Sequence, residues 1–322
     1  MTAPVDNASS PEPADTGAVK LGFPAIEALQ EASLAVGWDG EYRQIEAGQL
    51  EASTCMRQLG NVSLIREATS RRLEVAMSSP EDAFTLLVST SGRETPVFNG
   101  HGVHDDTAVL LSPGTEIHSI APAGAAVLNI HIDEDVLGSY VRGMLQQGSR
   151  FETRGAARAL KLGPDIARLR ALSTCAMRLG ADAATENDLE VQFIERVVQG
   201  IEFADPAGRK ECKYHRLRKS NVLMRLADYV GENLGQRLTL FDLCNVGNVS
   251  QSTLQRLCQQ EFGLSPYEYV QARRLDAARR QLQIPGRTMT IAQIAQEVGF
   301  NHTGRFAACY RRQFGVLPSE FL

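Results

Sequence analysis

Two stretches near the end of the chain place amide and guanidinium side chains where a helix would present them outward. In QSTLQRLCQQEF, Leu254 and Leu257 mark the buried face of a predicted helix. The opposite face, near the start of that helix, carries Gln251, Ser252, Gln255 and Arg256. Glutamine pairs with the edge of adenine and arginine with that of guanine, so these residues are candidates for reading DNA bases. A solvated helix face is the alternative.

A related pattern occurs in TIAQIAQEVGFNHTGRFAACYRRQFG, residues 290–315. Apolar residues at helical spacing are interrupted at Gly299, after which a second, arginine-bearing helix is predicted. Arg311 and Arg312 lie well along that helix, where contacts to phosphate are favoured over contacts to bases. We expect Asn301 to cap the helix, at an amino end whose N–H groups can also bind phosphate.

Local start and stop signals define these helices and the short helices before them. Capping boxes are predicted at Thr239, Ser265 and Thr290, and a single cap at Ser250. Asn248 and Gly299 suit the left-handed turn between a short and a longer helix. Each short helix, turn and longer helix therefore has the form of a helix-turn-helix.

A long helix of about 19 residues, or about 28 Å, is predicted between the two units. It would hold the two second helices about one DNA turn apart, roughly 34 Å. Its arginines are Arg273, Arg274, Arg279 and Arg280. Phosphate contacts and salt bridges with Asp276 and other surface acids are equally open for them.

Charge is divided unevenly along the chain. Residues 213–322 contain 15 lysines and arginines against 8 acidic residues, whereas residues 1–212 contain 18 against 30. The net charge of the whole chain is -5, so a basic last third is set within an acidic protein. Such a domain indicates a polyanionic partner, although chance clustering explains the charge alone equally well.

Composition excludes several other classes of protein. No apolar run is long enough to span a bilayer, and the first residues lack the features of a signal peptide. Six cysteines without a CxxC pair favour reduced thiols over a disulfide framework or a zinc site. We therefore expect a cytoplasmic protein that does not insert into membranes.

Changes of pattern along the chain predict an α+β protein of five segments. Residues 1–20 have the composition of a disordered tail. Short alternating runs in 21–134 predict a small antiparallel barrel or sandwich, and helical periodicity follows in 135–204. A polar stretch at 205–219 predicts a linker, and 220–322 is predicted to be entirely helical.

The last hundred residues resemble the AraC/XylS family of bacterial transcription regulators. The resemblance rests on LTLFDL, VSQSTLQRL, EFGLSPYEYVQARRLDAARRQL, IAQIAQEVGF and FAACYRRQFGVLPSEF. GFNHTGRFAACYRRQFG is most similar to the branch that controls catabolic operons for benzoate- or toluate-like acids and for ethanolamine. The family's base-contacting positions are matched by Ser252, Gln255 and Arg256 in the first unit and by Thr303, Gly304 and Arg305 in the second. Many relatives carry arginine where this chain has Ala308, which leaves base readout by the second unit open.

Phosphate contacts are assigned to Gln251, Asn301, Arg311 and Arg312. The resemblance further implies an amino-terminal cupin-like barrel for a small-molecule effector and a helical dimerisation segment. PGTEIH resembles the end-of-barrel turn of cupins. Candidate effector contacts are Trp38, Arg66 and His118, with core or solvent positions as the alternative.

No metal or cofactor is expected in the barrel. His101 and His104 do not have the His-x-His spacing of metal-binding cupins, and no glutamate follows at the usual interval. The predicted helix at 186–204 carries apolar residues around much of its surface. This favours cover by a partner subunit, and hence a homodimer, because paired DNA half-sites suit paired proteins.

The sequence as a whole indicates a regulator that binds specific double-stranded DNA and is not an enzyme. We expect an activator of a catabolic operon that works with RNA polymerase. Its effector is expected to be an aromatic acid, an amine or an amino alcohol. A cupin-type metalloenzyme with appended helices and a ligand-independent regulator are the alternatives.

Overall fold

In a computed structural model of the chain, the described residues are 18–23, 25–91, 95–145, 155–178, 183–202 and 222–321. The predicted linker, 205–219, lies outside them, as does most of the predicted tail, 1–20. Val19–Phe23 form a strand that pairs with Ala52–Met56. This strand therefore begins before residue 21, where the sequence predicted the barrel to start.

The strands of the amino-terminal domain form two antiparallel sheets. Their bounds are β1 Val19–Phe23, β2 Asp39–Gln44, β3 Ala52–Leu59, β4 Val62–Thr69, β5 Leu73–Ser78, β6 Ala83–Ser91, β7 Val97–Phe98, β8 His101–Gly102, β9 Thr107–Leu111, β10 Glu116–Ala121, β11 Ala126–Asp133 and β12 Ala157–Lys161. The larger sheet has the order β1-β3-β4-β11-β6-β9-β12, and the smaller has the order β2-β5-β10-β7-β8. Apolar side chains from both sheets meet in one core cluster between them.

Helices cover the outer face of the larger sheet. They are α2 Glu134–Leu145, α3 Asp165–Ala176 and α4 Ala183–Glu202, whereas α1 Ile26–Leu34 contacts β2 and β3. Residues of β4, β6 and β11 form a second core cluster with residues of these covering helices. The amino-terminal domain thus has three layers, with one apolar core on each side of the larger sheet.

One strand lies in the segment that the sequence predicted to be helical, residues 135–204. Ala157–Lys161 pairs antiparallel with β9, from Ala157 opposite Leu111 to Lys161 opposite Thr107. The stretch ARALK has no β-branched residue, and alanine, leucine, arginine and lysine all favour helices. Pairing with a sheet edge, which local propensity does not reveal, decides its structure.

Helix α4 buries its apolar face against its own chain. Phe193 and Val197 are fully buried and Ile194 is 4% exposed, in the cluster shared with the larger sheet. Of its large apolar side chains, Val191 is exposed, at 40%. From the sequence we expected a partner subunit to cover the apolar surface of this helix. That surface is instead largely covered within the chain.

The carboxyl-terminal domain is helical throughout its described part. Its helices are α5 (222–232), α6 Leu240–Gly247, α7 Gln251–Phe262, α8 Pro266–Gln283, α9 Ile291–Glu297 and α10 Thr303–Phe314, followed by a 3₁₀ turn at Pro318–Phe321. One core cluster joins α5, α6, α7 and the start of α8. A second joins the end of α8 with α9 and α10, and α8 runs through both. Among the described residues, no helix is both long enough and apolar enough to cross a bilayer.

Candidate nucleic-acid interface and effector cavity

The first pair of short and long helices, α6 and α7, is defined by local caps. The N–H of Thr239 donates to Asp242 Oδ2 at 2.8 Å and the N–H of Asp242 donates to Thr239 Oγ1 at 3.2 Å, so the capping box predicted there is confirmed. Asn248 ends α6 in the left-handed region, with φ 49° and ψ 50°. Ser250 caps α7 by accepting the N–H of Thr253 at 3.3 Å. These local predictions are all confirmed.

The outer face of α7 near its start is open to solvent. Leu254 and Leu257 point into the core, at 0% and 6% exposure. The exposed side chains are Gln251, Ser252, Gln255 and Arg256. Ser252 Oγ lies 3.1 Å from Ser250 Oγ, so its hydroxyl is held close to the cap. The first two turns of α7 therefore offer two amides and one guanidinium to a partner outside the protein.

The second pair, α9 and α10, has a weaker boundary. The capping box predicted at Thr290 forms with Gln293, and Gly299 turns the chain at φ 88°. The N-cap of α10 is His302, however, and it makes no side-chain cap hydrogen bond. The prediction that Asn301 caps this helix is wrong, because α10 begins at Thr303 and Asn301 lies one residue before the capping position.

The outer face of α10 is exposed but carries fewer polar groups. Phe306 and Tyr310 are fully buried. The exposed positions include Asn301, Thr303, Gly304, Arg305, Ala308, Arg311 and Arg312. The guanidinium of Arg305 lies 3.5 Å from the hydroxyl of Tyr267, at the start of α8. Near its start, α10 thus offers one guanidinium among small side chains.

Three arginines of α8 pair with acids of the amino-terminal domain, and two of them, Arg273 and Arg279, are almost completely buried. Arg273 Nη1 donates to Glu74 Oε2 at 2.9 Å, and the side chain of Glu74 is completely buried. Arg279 forms a two-pronged pair with Glu27, at 2.7 and 3.0 Å. For these two arginines the structure favours salt bridges over phosphate contacts, with acids of the other domain as partners.

The other two arginines of α8 are also engaged within the chain. Arg280 contacts Glu41 at 2.5 Å and Asp276 at 2.6 Å. Arg274 donates to the carbonyl oxygen of Gln236 at 2.5 Å. The salt bridge with Asp276 that the sequence suggested is present, although it accounts for only one of the four arginines.

Glu74 is the centre of the contact between the domains. Besides Arg273, it accepts a hydrogen bond from the hydroxyl of Tyr269 at 2.9 Å and lies 3.1 Å from His118 Nε2. Burial opposes ionisation, but Arg273 and His118 outweigh it and hold the pKa of Glu74 at about 2. The ring of Tyr269 stacks on Phe262 at 4.1 Å, which connects this carboxylate to the end of α7.

A cavity of about 50 Å³ lies between the two sheets. Its lining consists of Leu29, Trp38, Tyr42, Glu67, Thr69, Leu73, Val75, Met77, Leu87, Phe98, Ile117, Ala121, Ala125, Val127 and Asn129. Trp38 is therefore on this cavity. Arg66 is not: it is exposed, because adjacent residues of a strand point to opposite faces and Glu67 takes the inward position. Its position therefore gives no support to its assignment as an effector contact.

His118 lines a different space, about 460 Å³ in volume, at the junction of the domains. Its walls include His104 and Ile120 from the amino-terminal domain and Leu223 and Phe262 from the helical domain. The imidazole of His118 pairs with Glu74, so His118 contributes to the domain contact rather than to the cavity between the sheets.

Glu67 is a polar feature of the cavity that the sequence did not reveal. Its carboxylate oxygens accept from Ser33 Oγ at 3.2 Å, from the hydroxyl of Tyr42 at 3.3 Å and from Asn129 Nδ2 at 3.4 Å. Burial raises its pKa, and these three hydrogen bonds offset the effect only in part. The cavity thus has apolar walls and one acidic group.

Comparisons with known proteins match both parts of the chain. The AraC-binding-like domain family matches residues 32–191, and the helix-turn-helix domain family matches residues 243–322. The chain belongs to the AraC/XylS family of transcriptional regulators. Members of this family regulate transcription and are not enzymes, so the metalloenzyme alternative is set aside.

Individual relatives match about a third of the chain. The XylDLEGF operon transcriptional activator 1 of Pseudomonas putida is 34% identical over 99 residues, 30% of each chain. The probable thc operon regulatory protein of Rhodococcus erythropolis is 36% identical over 102 residues, 31% of each chain. A solved AraC-type regulator from Chromobacterium violaceum is 30% identical over 31% of this chain and 88% of its own, with a TM-score of 0.30. The matches thus span about a third of the length of these curated relatives.

Three histidines of the amino-terminal domain have different surroundings in this AraC/XylS-family chain. His104 and His118 line the space between the domains, whereas the ring of His131 packs edge-on against Trp38 at 5.9 Å. Burial lowers the pKa of His131 to about 4. Among the residues that the structure describes, no three His, Cys, Asp or Glu side chains are grouped to hold a metal ion.

Proposed function

We propose that this protein binds specific double-stranded DNA through two helix-turn-helix units and is controlled by a small molecule in a cupin-like barrel. The observation that carries the proposal is the exposure of the first turns of α7 and α10 in the basic part of an AraC/XylS-family chain. Each is the second helix of a short-long pair, which is the helix that enters the major groove in this kind of unit. The amides and guanidinium of α7 can read base edges there.

The two helix-turn-helix units contribute unequally to recognition of the DNA sequence. Ser252, Gln255 and Arg256 read bases from α7. Thr303, Gly304 and Arg305 fit α10 closely against the DNA, with base readout limited to Arg305 because its neighbours are small. Phosphate contacts come from Gln251, Asn301, Arg311 and Arg312, all of them exposed.

The smaller sheet supplies a route from the cavity to the DNA-binding domain. Because side chains alternate along a strand, β5 lines the cavity with Val75 and Met77 and holds Arg273 with Glu74. Strand β2 does the same with Tyr42 on the cavity and Glu41 against Arg280. A ligand that shifts this sheet would change how α8 is held, and so alter the balance between two arrangements of the domains.

Further parts of the proposal rest on relatives and on symmetry. The relative named as an activator of the XylDLEGF operon supports activation of a catabolic operon, and hence contact with RNA polymerase. A homodimer is supported by the pairing of half-sites in DNA rather than by α4, whose apolar face is covered. A ligand-independent regulator is the second candidate, favoured by the small volume of the cavity.

The test is to select DNA fragments that the full chain retains and then to measure their affinity by fluorescence anisotropy. We expect Arg256→Ala and Gln255→Ala each to weaken specific binding by about 10- to 100-fold, equivalent to about 1–3 kcal/mol per base contact. Gln259→Ala, an exposed glutamine further along α7, is the matched control and should change little. Equal effects of Gln255→Ala and Gln259→Ala would contradict the assignment of the reading face.

A further inference from the structure

Glu67, which is half-buried on the cavity between the sheets, differs from the completely buried Glu74 in what surrounds it. Glu74 pairs with Arg273 at 2.9 Å, and Arg43 lies 3.9 Å from it. Among the residues that the structure describes, no lysine, arginine or histidine forms an ion pair with Glu67. Its partners are two hydroxyls and one amide, at 3.2 to 3.4 Å, which are long hydrogen bonds for oxygen acceptors.

A half-buried carboxylate without a cation also costs stability, because neutral donors replace only part of the hydration that it loses. Ser33, Tyr42 and Asn129 come from α1, β2 and β11, so three separate elements converge on this one acid. A purely structural role would be filled at lower cost by a glutamine or by an apolar side chain of the same size. The arrangement is that of a site in which a ligand supplies the missing positive charge.

The rest of the cavity indicates the size and polarity of the remainder of that ligand. Val75 and Met77 from the smaller sheet and Leu87 and Val127 from the larger sheet give it apolar walls on both sides. The volume of about 50 Å³ compares with about 10–15 Å³ of the same kind of volume needed to hold one water molecule. The cavity therefore suits a compact group of a few atoms, and a longer ligand would have to displace flexible side chains such as Met77.

We propose that the barrel cavity takes a small primary amine, whose ammonium group pairs with Glu67 while its short hydrocarbon part lies against the apolar walls. This inference rests on the proposed function and names the class of effector. Of the three classes that the sequence suggested, it retains the amine and the amino alcohol. An aromatic acid would bring a second carboxylate next to Glu67 with no cation lining the cavity to compensate.

The amine would act on the sheet that holds the DNA-binding domain. The hydroxyl of Tyr42 donates to both oxygens of Glu67, and an ammonium group would compete for the same oxygens. Tyr42 follows Glu41 in β2, and Glu41 pairs with Arg280 of α8. Release of the Tyr42 hydroxyl would thus disturb β2 next to Glu41, which contacts Arg280 of the DNA-binding domain.

The experiment compares isobutylamine with isobutyrate, which share a hydrocarbon skeleton and differ in the charge of the head group. Binding to the full chain is measured by calorimetry and by thermal shift, because a ligand that binds the folded state raises the melting temperature. We expect isobutylamine to bind and to stabilise the wild-type protein, and isobutyrate to do neither. Binding of isobutyrate in preference, or of neither compound, overturns the proposal without any variant.

Glu67→Gln keeps the shape of the side chain and removes its charge, and it should weaken isobutylamine binding by at least about 10-fold. Glu116→Gln, at an exposed position of β10, is the matched control and should bind like the wild type. Retention of full affinity by folded Glu67→Gln overturns the proposal. DNA affinity of the same samples without ligand is measured in parallel. Failure of DNA binding would count against the proposed function, whereas failure of amine binding alone would count only against this inference.

Discussion

Arginine side chains lie in opposite environments on the two sides of the carboxyl-terminal domain. On the side that faces the amino-terminal domain, Arg273 and Arg279 are almost completely buried and paired with Glu74 and Glu27. On the outer side, the exposed arginines are Arg256, Arg305, Arg311 and Arg312. Among the described residues, none of these four forms an ion pair. One side of the domain is therefore neutralised by the acidic amino-terminal domain, and the other keeps its positive charge.

This difference shows which part of a basic domain can bind a polyanion. The desolvated guanidinium of Arg273 already has a carboxylate, so a phosphate would have to displace Glu74 to reach it. An exposed arginine keeps its hydration and gains from replacing the counterions of DNA. The count of basic residues in the sequence therefore overstates the charge available for DNA, and the partner across the domain contact decides which arginines remain.

The largest expected effect is that of Glu74→Gln, which disrupts the buried ion pair between the two domains. This variant leaves Arg273 buried without its carboxylate, and removal of one partner of a buried pair costs about 3–5 kcal/mol. We expect the free energy of unfolding in urea to fall by that amount. We also expect proteolysis between the domains to become faster as their contact opens.

Glu41→Gln is the control on the same surface. Glu41 pairs with Arg280, but both side chains are more than a third exposed, so the loss should be between 0 and about 1 kcal/mol. If Glu41→Gln and Glu74→Gln were equally destabilising, burial of the pair would not be the reason for the effect, and the contrast between the two sides would lose its basis.

Acid should weaken the same contact in a defined direction. The pKa of Glu74 is about 2 in the folded protein and is expected near 4.5 in the unfolded chain. A depressed pKa of this kind contributes stability that is fully present above about pH 4.5 and is lost as the pH falls towards 2. Urea unfolding at pH 6, 4 and 3 should show this loss in the wild type and a flatter dependence in Glu74→Gln. If the stability of the wild type and of Glu74→Gln changed with pH in parallel, titration of Glu74 would not be the cause of the loss.

The outer side is tested by the dependence of DNA binding on salt. Arg311→Ala combined with Arg312→Ala should reduce the slope of log affinity against log salt concentration by about 2, since each phosphate contact contributes about 1. Affinity for selected and unrelated DNA should fall alike, because phosphates carry no sequence information. Arg279→Ala, on the side that faces the amino-terminal domain, should leave the slope unchanged. A slope that responds equally to both changes would remove the distinction between the two sides.

Local chemistry explains which features the sequence predicted well. The capping boxes at Thr239, Ser265 and Thr290 and the left-handed turn at Asn248 involve residues at most three positions apart. Their hydrogen bonds form wherever the helix forms, so pattern alone finds them. The exposed face of α7 follows in the same way from the spacing of Leu254 and Leu257.

Distant partners explain what the sequence could not show. Glu74 is 199 residues from Arg273 along the chain, and Glu27 is 252 residues from Arg279. No local pattern distinguishes these arginines from exposed ones. The inward position of Glu67 depends on which face of β4 meets the smaller sheet, and a shift of one residue would have placed Arg66 there instead. Strand β12 likewise depends on an edge supplied by β9.

The smallest expected effect distinguishes the starts of α7 and α10 on the outer side. Ser250 makes a side-chain cap for α7, whereas His302 makes none for α10. His302→Ser should therefore stabilise α10 by about 0.5–1 kcal/mol, and Ser250→Ala should destabilise α7 by a similar amount. Hydrogen exchange of the first amides in each helix measures both changes. If His302→Ser left hydrogen exchange at the start of α10 unaltered, other contacts would hold that end of the helix. The two units would then differ in the chemistry of their exposed faces but not in the stability of their helix starts.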